Sequence, residues 1–502
     1  MPGSSPSDAA HAEAPGEAAA PGDRAARLRG LLLWAGIVTL ALLSLLALAH
    51  LLTDLRAIIS VRGGTGATVA RLAPTIVLAG AALMTVVLVS YLAASGRRRE
   101  IVAIVIGFVV LLGVRIFIAA TLDGVPRGEP FFYGMRAEAI LAGDLGFGDR
   151  PMGYTVMLAG SDVLFGDRQL AVEALNLLLA ALAGGVVLTM ARGLYGARVG
   201  ALALLAYALW PAGALMTTVR MPEIAYDLAI VSSTWAVTNT APGWRGSALT
   251  GALLGLSQWV RPSTPALLPA FLLARIWPGG PWRRLVGGAV LPLLAMFLLV
   301  LTPVLWHNYE EHGELSISTS QFGGQAFYLG TYEPSGGTYD QAAIDALIAI
   351  SGPDIADISE VGARIAMDRL REDPIGIGML AIRKQDTLWG TEHFGVEYGI
   401  SRSLEQRPSH PRVATAILLS QGFYLIVLVS ATFGLYLMRR RPDALAPLAI
   451  VLVWSVAAVH TLLEVRDRHH SYVLPVLLPI AAVAGAALLQ RLERLVGRNG
   501  DG

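Results

Sequence analysis

Long apolar segments recur along nearly the whole chain, and they constrain its fold more than any other feature. Hydrophobic residues make up 54% of the 502 residues and charged residues only 15%, whereas about 25% charge is usual in soluble domains. A helix needs about 20 apolar residues to cross a bilayer, and about twelve segments come near that length. The sequence therefore predicts an all-α polytopic membrane protein. The predicted helices lie near 30–52, 72–94, 100–120, 168–193, 198–216, 223–240, 246–259, 263–277, 285–305, 413–438, 444–462 and 471–490.

Arginine clusters at the helix ends predict the orientation of these segments. Arg97–Arg99, Arg283–Arg284 and Arg439–Arg441 fall on one side of the predicted bundle. Short basic loops stay in the cytoplasm, so this side and both termini are predicted to be cytoplasmic. The other side, which is external, receives the loop 121–167 and the long polar segment 306–412. We expect a multi-pass protein of the plasma (inner) membrane with its functional residues on the external face.

The predicted organisation follows from where the apolar segments stop. Residues 306–412 are the only sizeable polar stretch and are too few for a large independent domain, so we expect a small external cap, either mixed α/β or α. The N-terminal tail is rich in Pro, Ala, Ser and Gly, a composition typical of disorder. The predicted units are a cytoplasmic tail (1–28), two N-terminal helices (29–99), a transmembrane core (100–305), the cap (306–412), C-terminal helices (413–490) and a second cytoplasmic tail (491–502).

The first external loop, 121–167, interrupts two spans with ionisable residues, which near a membrane are candidates for function. Asp123 and Glu129 are both candidates for a general base, since a carboxylate at the membrane surface can have a raised affinity for protons. Tyr133 and Arg136 follow three residues apart, a spacing that places both on one helix face beside the loop carboxylate. The alternative is a solvated loop whose acidic residues only confer solubility.

Two further polar positions lie at predicted external helix ends. Arg220 precedes Pro222 and Glu223, and Glu223 suits the positive end of a helix dipole. Asp227, one turn further, enters the apolar region, where it either acts in a site or pairs with an arginine for structural reasons. Arg261 lies between two short apolar stretches, where an arginine can bind a lipid-linked phosphate or reach the headgroups.

A dense polar turn, Glu464 to His470, precedes the last predicted span. Arg466 and Arg468 are further candidates to bind a donor phosphate, and His469 is a candidate for substrate binding. His469 and His470 could ligate a metal, but adjacent side chains on a helix do not face one another. We therefore predict no metal site here, although these side chains leave a role for a divalent cation open.

Several segments together resemble the GT-C integral-membrane glycosyltransferases, in particular the set related to protein O-mannosyltransferases and aminoarabinose transferases. The resemblance covers about residues 100–490 and leaves the first two helices outside it. It is carried by EPFFYGMRAEAILAGDLGF (129–147), LYGARVGALALLAYALWPAGALMTTVRMPEIAYD (194–227), GALLGLSQWVRPSTPALLP (251–269), LWHNYEEHGELSISTSQFGGQAFYLG (305–330) and YVLPVLLPIAAVAG (472–485). The family usually has an aspartate as its loop base; by spacing to Tyr133 that position is Glu129, with Asp123 as the competing residue.

The resemblance implies a GT-C-like helical bundle and a transferase. Its donor would be a polyprenyl-phosphate sugar, and its acceptor a cell-envelope glycan, lipid or protein, with inversion at the sugar. In that reaction Glu129 or Asp123 would be the base. Arg261, Arg466, Arg468 and Arg220 would bind the phosphate, and Tyr133, Arg136, Glu223, Asp227 and His469 would bind substrate. The alternatives are a lipid or solute transporter and a non-catalytic partner in envelope assembly. The net charge of +1 gives no electrostatic reason to expect nucleic acid as a partner.

Overall fold

Helices are the only regular elements in the part of the chain that the structure, a computed structural model, describes: residues 21–61, 64–122, 128–146, 148, 150–166, 168–400, 410–440 and 442–498. The predicted all-α class is therefore confirmed. The first helices are α1 (Pro21–Ser60), α2 (Gly64–Ala94), α3 (Arg97–Thr121), α4 (Glu129–Leu141), α5 (Met152–Phe165), α6 (Arg168–Tyr195), α7 (Ala197–Leu209), α8 (Pro211–Leu215), α9 (Glu223–Asn239), α10 (Trp244–Val260), α11 (Leu268–Ile276), α12 (Trp282–Leu285) and α13 (Leu291–Val300). The remaining helices are α14 (Thr302–His312), α15 (Gly323–Gly330), α16 (Gln341–Ser351), α17 (Ile355–Glu372), α18 (Pro374–Trp389), α19 (Phe394–Gly399), α20 (Pro411–Met438), α21 (Leu445–Leu462) and α22 (Leu474–Arg498).

The chain is a multi-pass membrane protein. Eight helices among the described residues are long and apolar enough to cross a membrane, and a ninth is the pair α7 and α8, bent by 55°. Every segment predicted from the sequence coincides with helical structure. However, α9 and α10 have 17 residues each, which at 1.5 Å per residue falls short of the roughly 30 Å hydrocarbon core. Of these two short helices, α9 begins and α10 ends at the candidate site described below.

Close helix crossings are made by small residues, as expected where lipid replaces water outside the bundle. A Cβ atom on Gly251 of α10 would lie 2.0 Å from the carbonyl oxygen of Leu293 on α13. Likewise, a Cβ atom on Gly434 of α20 would lie 2.1 Å from the carbonyl oxygen of Ile480 on α22. The backbones of these helix pairs are therefore in direct contact, and any side chain at either glycine would force them apart.

Three turns predicted to be cytoplasmic share one construction. Gly96, Gly196 and Gly243 have φ angles of 109°, 90° and 146° and directly precede α3, α7 and α10. A residue with a Cβ atom adopts this region only with strain, so glycine permits the reversal. Arginines follow in the first turn of each next helix, at 97, 198 and 245. The same local sequence therefore both turns the chain and supplies the positive charge on which the predicted cytoplasmic location of these turns rests.

The described part of the predicted cap, residues 306–400, contains α14 to α19 and is helical, one of the two alternatives expected. Asp340, Asp354 and Asp373 cap α16, α17 and α18 by accepting backbone N–H groups with their side chains. Pro374 is the first residue of α18 and thus marks the break between α17 and α18. A small apolar cluster that includes Leu329 and Leu347 forms the interior of the cap.

Buried hydrogen bonds attach the cap to the turn that precedes the last span. Lys384 of α18 is fully buried, and its Nζ donates to the carbonyl oxygens of Gly330 (2.8 Å) and Thr461 (3.0 Å). The backbone N–H of Val465 donates to the carbonyl of Gly337 at 3.0 Å. Because residues 461–465 lead directly into the candidate site, the cap and the site share one framework.

Candidate functional site

Two glutamates begin helices at the same face of the bundle. Glu129 is the first residue of α4, and Glu223 is the first residue of α9. The N-terminus of a helix carries partial positive charge, which favours a carboxylate at this position. The Glu129 side chain is 26% exposed, whereas that of Glu223 is 2% exposed. Solvent or a substrate can therefore reach the first carboxylate, while the second is enclosed by protein.

Arg468 connects these two carboxylates. It lies in a 3-10 segment, Asp467–Val473, that leads into α22. Its Nη2 lies 2.6 Å from Oε2 of Glu129, and its Nη1 lies 3.7 Å from Oε1 of Glu223. With only 7% of its side chain exposed, this guanidinium has little water around it. Its charge is therefore balanced mainly by the two carboxylates.

Arg261 binds the other side of Glu223. It follows α10 in extended conformation, and its Nη2 donates to Oε1 of Glu223 at 3.1 Å. Helix α5 packs directly on the end of α10, because a Cβ atom on Gly153 would lie 2.7 Å from the backbone of Trp259. Four residues that were separate candidates in the sequence thus form one series of ion pairs. We call Glu129, Arg468, Glu223 and Arg261 the central ion-pair chain.

Arg466 forms a second group beside this chain. Its Nη1 lies 3.4 Å from Glu397 and 3.1 Å from the hydroxyl oxygen of Tyr398, and its Nε lies 3.5 Å from Glu464. The Tyr398 ring also lies 5.5 Å from the guanidinium of Arg468, a distance typical of a cation–π contact. Both arginines of the turn therefore contact one cap tyrosine, Arg466 at its hydroxyl and Arg468 at its ring.

The charges of the site shift the proton affinities of its outer groups. Burial alone would raise the pKa of Glu129, but Arg468 and Arg150 outweigh burial and hold this pKa below its usual value. Glu129 is therefore ionised at neutral pH. Burial raises the pKa of Glu464 despite the nearby arginines. Burial likewise raises the pKa of Tyr398 to about 12, so its hydroxyl stays protonated.

Tyr133 and Arg136 contact residues outside the central ion-pair chain. The Nη1 of Arg136 lies 2.6 Å from Oδ2 of Asp144, and its Nη2 donates to the Asp144 carbonyl at 3.3 Å. Tyr133 is 4% exposed and packs edge-to-face on Tyr154, with ring centroids 5.7 Å apart. Both residues fix α4 and the loop after it, and thereby the position of Glu129.

Three further candidates from the sequence are Arg220, Asp227 and Asp123. Arg220 passes alongside α4, where its Nη1 would lie 3.0 Å from a Cβ atom on Gly134. Asp227 is 1% exposed and lies one turn below Glu223; its Oδ1 has no hydrogen-bond partner among the described residues. The competing base, Asp123, lies outside the described residues.

The two adjacent histidines point to different partners. His469 stacks on His460, with ring centroids 4.4 Å apart, and its Nδ1 accepts the backbone N–H of Arg466 at 3.2 Å. His470 is fully buried, and its Nε2 lies 2.6 Å from Oε2 of Glu392. Within the residues that the structure describes, no group of three His, Cys, Asp or Glu side chains is arranged to hold a metal ion.

Several residues of the site were not identified from the sequence. The guanidinium of Arg150 lies 5.3 Å from the ring of Phe132, 5.6 Å from that of Tyr133 and 5.4 Å from that of Phe322. Glu397 and Tyr398, which contact Arg466, were not predicted either. An Arg-Pro pair at the end of a polar loop was a usable signal for Arg150. The cap residues lie in a short segment without helical periodicity, so nothing in their spacing marked them.

This arrangement suits the recognition of a phosphate next to an oxygen nucleophile. Arginine presents a planar set of donors that matches phosphate oxygens, and Arg261 and Arg468 offer two such groups around one buried carboxylate. Glu129 offers an ionised carboxylate at the open side, where a hydroxyl group could donate a hydrogen bond to it. The site therefore combines donors for an anion with an acceptor for a hydroxyl proton.

Comparison with known proteins bears on the middle of the chain. Residues 149–307 match the family model for dolichyl-phosphate-mannose-protein mannosyltransferase, which confirms the predicted resemblance to these glycosyltransferases. Among curated proteins, none matches the sequence. The matched residues include Arg220, Glu223, Asp227 and Arg261 of the site.

Solved structures offer more distant similarity. The chain is similar to oligosaccharyltransferase AglB from Archaeoglobus fulgidus, in complex with an inhibitory peptide and a dolichol-phosphate, with 13% identity and a TM-score of 0.48 over 80% of this chain and 52% of that one. It is also similar to ArnT from Cupriavidus metallidurans bound to undecaprenyl phosphate, with 17% identity and a TM-score of 0.34 over 75% of this chain and 77% of that one. The chain thus spans about half the length of the oligosaccharyltransferase.

Proposed function

We propose that this protein is a membrane glycosyltransferase that moves a sugar from a polyprenyl-phosphate donor to a cell-envelope glycan, lipid or protein. The observation that carries the proposal is the central ion-pair chain. In it, arginines from two distant parts of the sequence converge on two carboxylates at one face of the bundle. The match to a family named for dolichyl-phosphate-mannose supports a lipid-phosphate donor of that kind.

In the proposed reaction the arginines hold the donor phosphate. Arg261 and Arg468 bind its oxygens and neutralise the negative charge that grows as the phosphate leaves, while Arg466 and Arg220 extend the positive surface around it. Since guanidinium groups in a water-poor site interact more strongly than in water, a small number of them suffices. The prenyl chain would lie along the apolar helix surfaces.

The acceptor hydroxyl would be oriented by Glu129. The hydroxyl oxygen bonds to the anomeric carbon as the bond from that carbon to the phosphate oxygen breaks, and the electron pair of the broken bond leaves with the phosphate. The hydroxyl proton passes to Glu129, or to Asp123 if that residue is the base. Because attack and departure lie on opposite faces of the sugar, the configuration inverts. Glu223, Asp227, Tyr133, Arg136 and His469 would shape or support the substrate site.

The proposal includes an orientation in the membrane. The site would face the exterior of the plasma (inner) membrane, with both termini in the cytoplasm, as the arginine distribution predicts. The proposed units keep the boundaries predicted from the sequence, with residues 100–305 as the transmembrane core and residues 306–412 as the cap. The loop 121–167 would then approach acceptors outside the cell.

The decisive experiment is a transfer assay on the purified protein. A panel of radiolabelled polyprenyl-phosphate sugars would be offered with envelope glycan, lipid and peptide acceptors, and Glu129→Gln would be compared with the wild type. Glu138→Gln is a matched control, because Glu138 lies on the same helix and is half exposed. Removing a general base costs about 10²- to 10⁴-fold in rate, so only Glu129→Gln should lose turnover.

The other outcomes are equally informative. Turnover that survives Glu129→Gln but is lost in Asp123→Asn would assign the base to Asp123. Full activity in both variants would refute the mechanism, and no turnover with any donor and acceptor would refute the function. Repeating the assay with EDTA would establish whether a divalent cation takes part.

A further inference from the structure

The first helix, α1, reaches the candidate site although it lies outside the matched residues 149–307. Its C-terminal third is attached to the segment 386–393 by three sets of contacts. The buried Nε2 of Gln421 donates to the carbonyls of both Ala47 and Gly390, at 3.0 and 2.8 Å. In addition, two histidine–aspartate pairs join the same two pieces of chain.

One of these pairs continues into the central ion-pair chain. Oδ2 of Asp54 on α1 lies 3.0 Å from Nε2 of His393. The backbone N–H of His393 donates to Oδ2 of Asp467 at 2.9 Å, and Oδ1 of Asp467 accepts the backbone N–H of Arg468, also at 2.9 Å. Arg468 then pairs with Glu129. Three consecutive contacts therefore lead from α1 to the backbone of Arg468, whose guanidinium holds Glu129.

The second pair has the same chemistry and ends elsewhere. Nε2 of His50, one turn earlier on α1, lies 3.0 Å from Oδ1 of Asp386. Asp386 is 58% exposed and lies in the last part of α18. Within the described residues, its side chain contacts neither Asp467 nor Arg468. Both pairs join α1 to the segment 386–393 at 3.0 Å, but only the pair of Asp54 and His393 is connected to the site.

We propose that Asp54 and His393 are positioning residues that set Arg468 against Glu129, which makes α1 a working part of the transfer site. Asp467 is 9% exposed, and its two oxygens are bound to the backbones of His393 and Arg468. Its position therefore depends on where His393 lies, and Asp54 fixes the His393 side chain. Displacing a catalytic group by about 1 Å can cost as much as about 100-fold in rate.

The test compares the two pairs in the full-length protein. Asp54→Ala and His393→Ala leave the backbone N–H of residue 393 in place, and we expect each to lower kcat by about tenfold with little change in KM. His393→Gln, whose amide can still donate to Asp54, should retain more activity than His393→Ala. The matched controls His50→Ala and Asp386→Asn should change kcat by less than about threefold, since exposed pairs contribute little.

A second readout separates this proposal from the proposed function on which it rests. Hydrogen–deuterium exchange of the peptide covering 465–473 should increase in Asp54→Ala and His393→Ala and stay unchanged in the two controls. If the wild type transferred no sugar, the function would fail while exchange still decided the positioning role. Equal effects in Asp54→Ala, His393→Ala and the two controls would show that α1 only stabilises the fold and would overturn the proposal. Unchanged exchange and activity in Asp54→Ala and His393→Ala would also overturn it.

Discussion

Removal of the Arg468 charge is the sharpest test of how the site is held together. Arg468→Met keeps an unbranched side chain but leaves Glu129 and Glu223 without the guanidinium between them. Breaking a buried ion pair by removing one partner costs about 3–5 kcal/mol. Water reaches part of Glu129, and Glu223 keeps Arg261 at 3.1 Å. We therefore expect a smaller loss, about 2–4 kcal/mol in the free energy of unfolding.

A second change identifies the origin of that loss. In the Arg468→Met background, Glu129→Gln removes the carboxylate that has lost its partner, and we expect it to restore about 1–2 kcal/mol. In the wild-type background, the same Glu129→Gln change should destabilise, because it leaves Arg468 with only the more distant Glu223. The same substitution thus has opposite signs in the two backgrounds, which is the signature of a coupled pair.

The assay is unfolding of purified protein in mixed micelles, followed as a double-mutant cycle. Arg192→Met and Glu100→Gln serve as the control cycle, because Arg192 forms a 2.6 Å pair with Glu100 but is 55% exposed. Its coupling energy should be at most about 1 kcal/mol. If the energetic effects of the Arg468 and Glu129 changes simply add, so that Glu129→Gln destabilises both backgrounds equally, then the central ion-pair chain does not hold the site together.

Other perturbations give distinct outcomes. Burial lowers the pKa of Lys384 to about 8, so between pH 8 and 10.5 the unfolded chain binds more protons than the native one and the free energy of unfolding rises with pH. Urea titrations should show a rise of at most about 3 kcal/mol across this window in the wild type and none in Lys384→Met. The same dependence of stability on pH in both proteins would contradict this prediction. Arg136→Gln and Asp144→Asn should each lower the free energy of unfolding by about 1–2 kcal/mol, seen as a lower thermal midpoint. Both variants should keep the KM for the donor unchanged, whereas a raised KM would place Arg136 in the substrate site. Glu392→Gln should destabilise by about 3 kcal/mol in the same micelle assay, because Nε2 of the buried His470 lies against the Glu392 carboxylate and the change removes one partner of a buried pair. Retained stability would show that this pair does not hold His470.

The transmembrane helices could be predicted because their signal is local. A bilayer requires a continuous apolar stretch of about 20 residues, and glycine turns such as those at Gly96 and Gly196 end each stretch at a defined residue. Each helix can therefore be identified from its own residues. The lengths of α9 and α10 could not be predicted in this way, because a helix that is buried inside the bundle can be shorter than the full span.

The members of the central ion-pair chain were identifiable one at a time, but their partners were not. Glu129 and Glu223 each begin a helix, and Arg261 and Arg468 each lie at a helix boundary, so local rules mark all four. Their pairing depends on the packing of α4, α9, α10 and α22, which no local spacing encodes. Tyr133 and Arg136 lie on one helix, α4, as their spacing predicts, yet Arg136 binds Asp144 beyond the helix end, while Glu129 pairs with Arg468.

The difference in exposure between the two glutamates bears on how a donor would enter. Arg468 is paired with Glu129, so under the proposed function an incoming phosphate must compete with this carboxylate for the guanidinium. Glu223 is enclosed and holds a second arginine, whereas Glu129 has water beside it and can separate at lower cost. Under the proposed function, the phosphate therefore displaces Glu129 from Arg468. The displaced carboxylate loses Arg468, the strongest of the positive neighbours that lower its pKa, so donor binding itself would turn Glu129 into a stronger base for the acceptor hydroxyl.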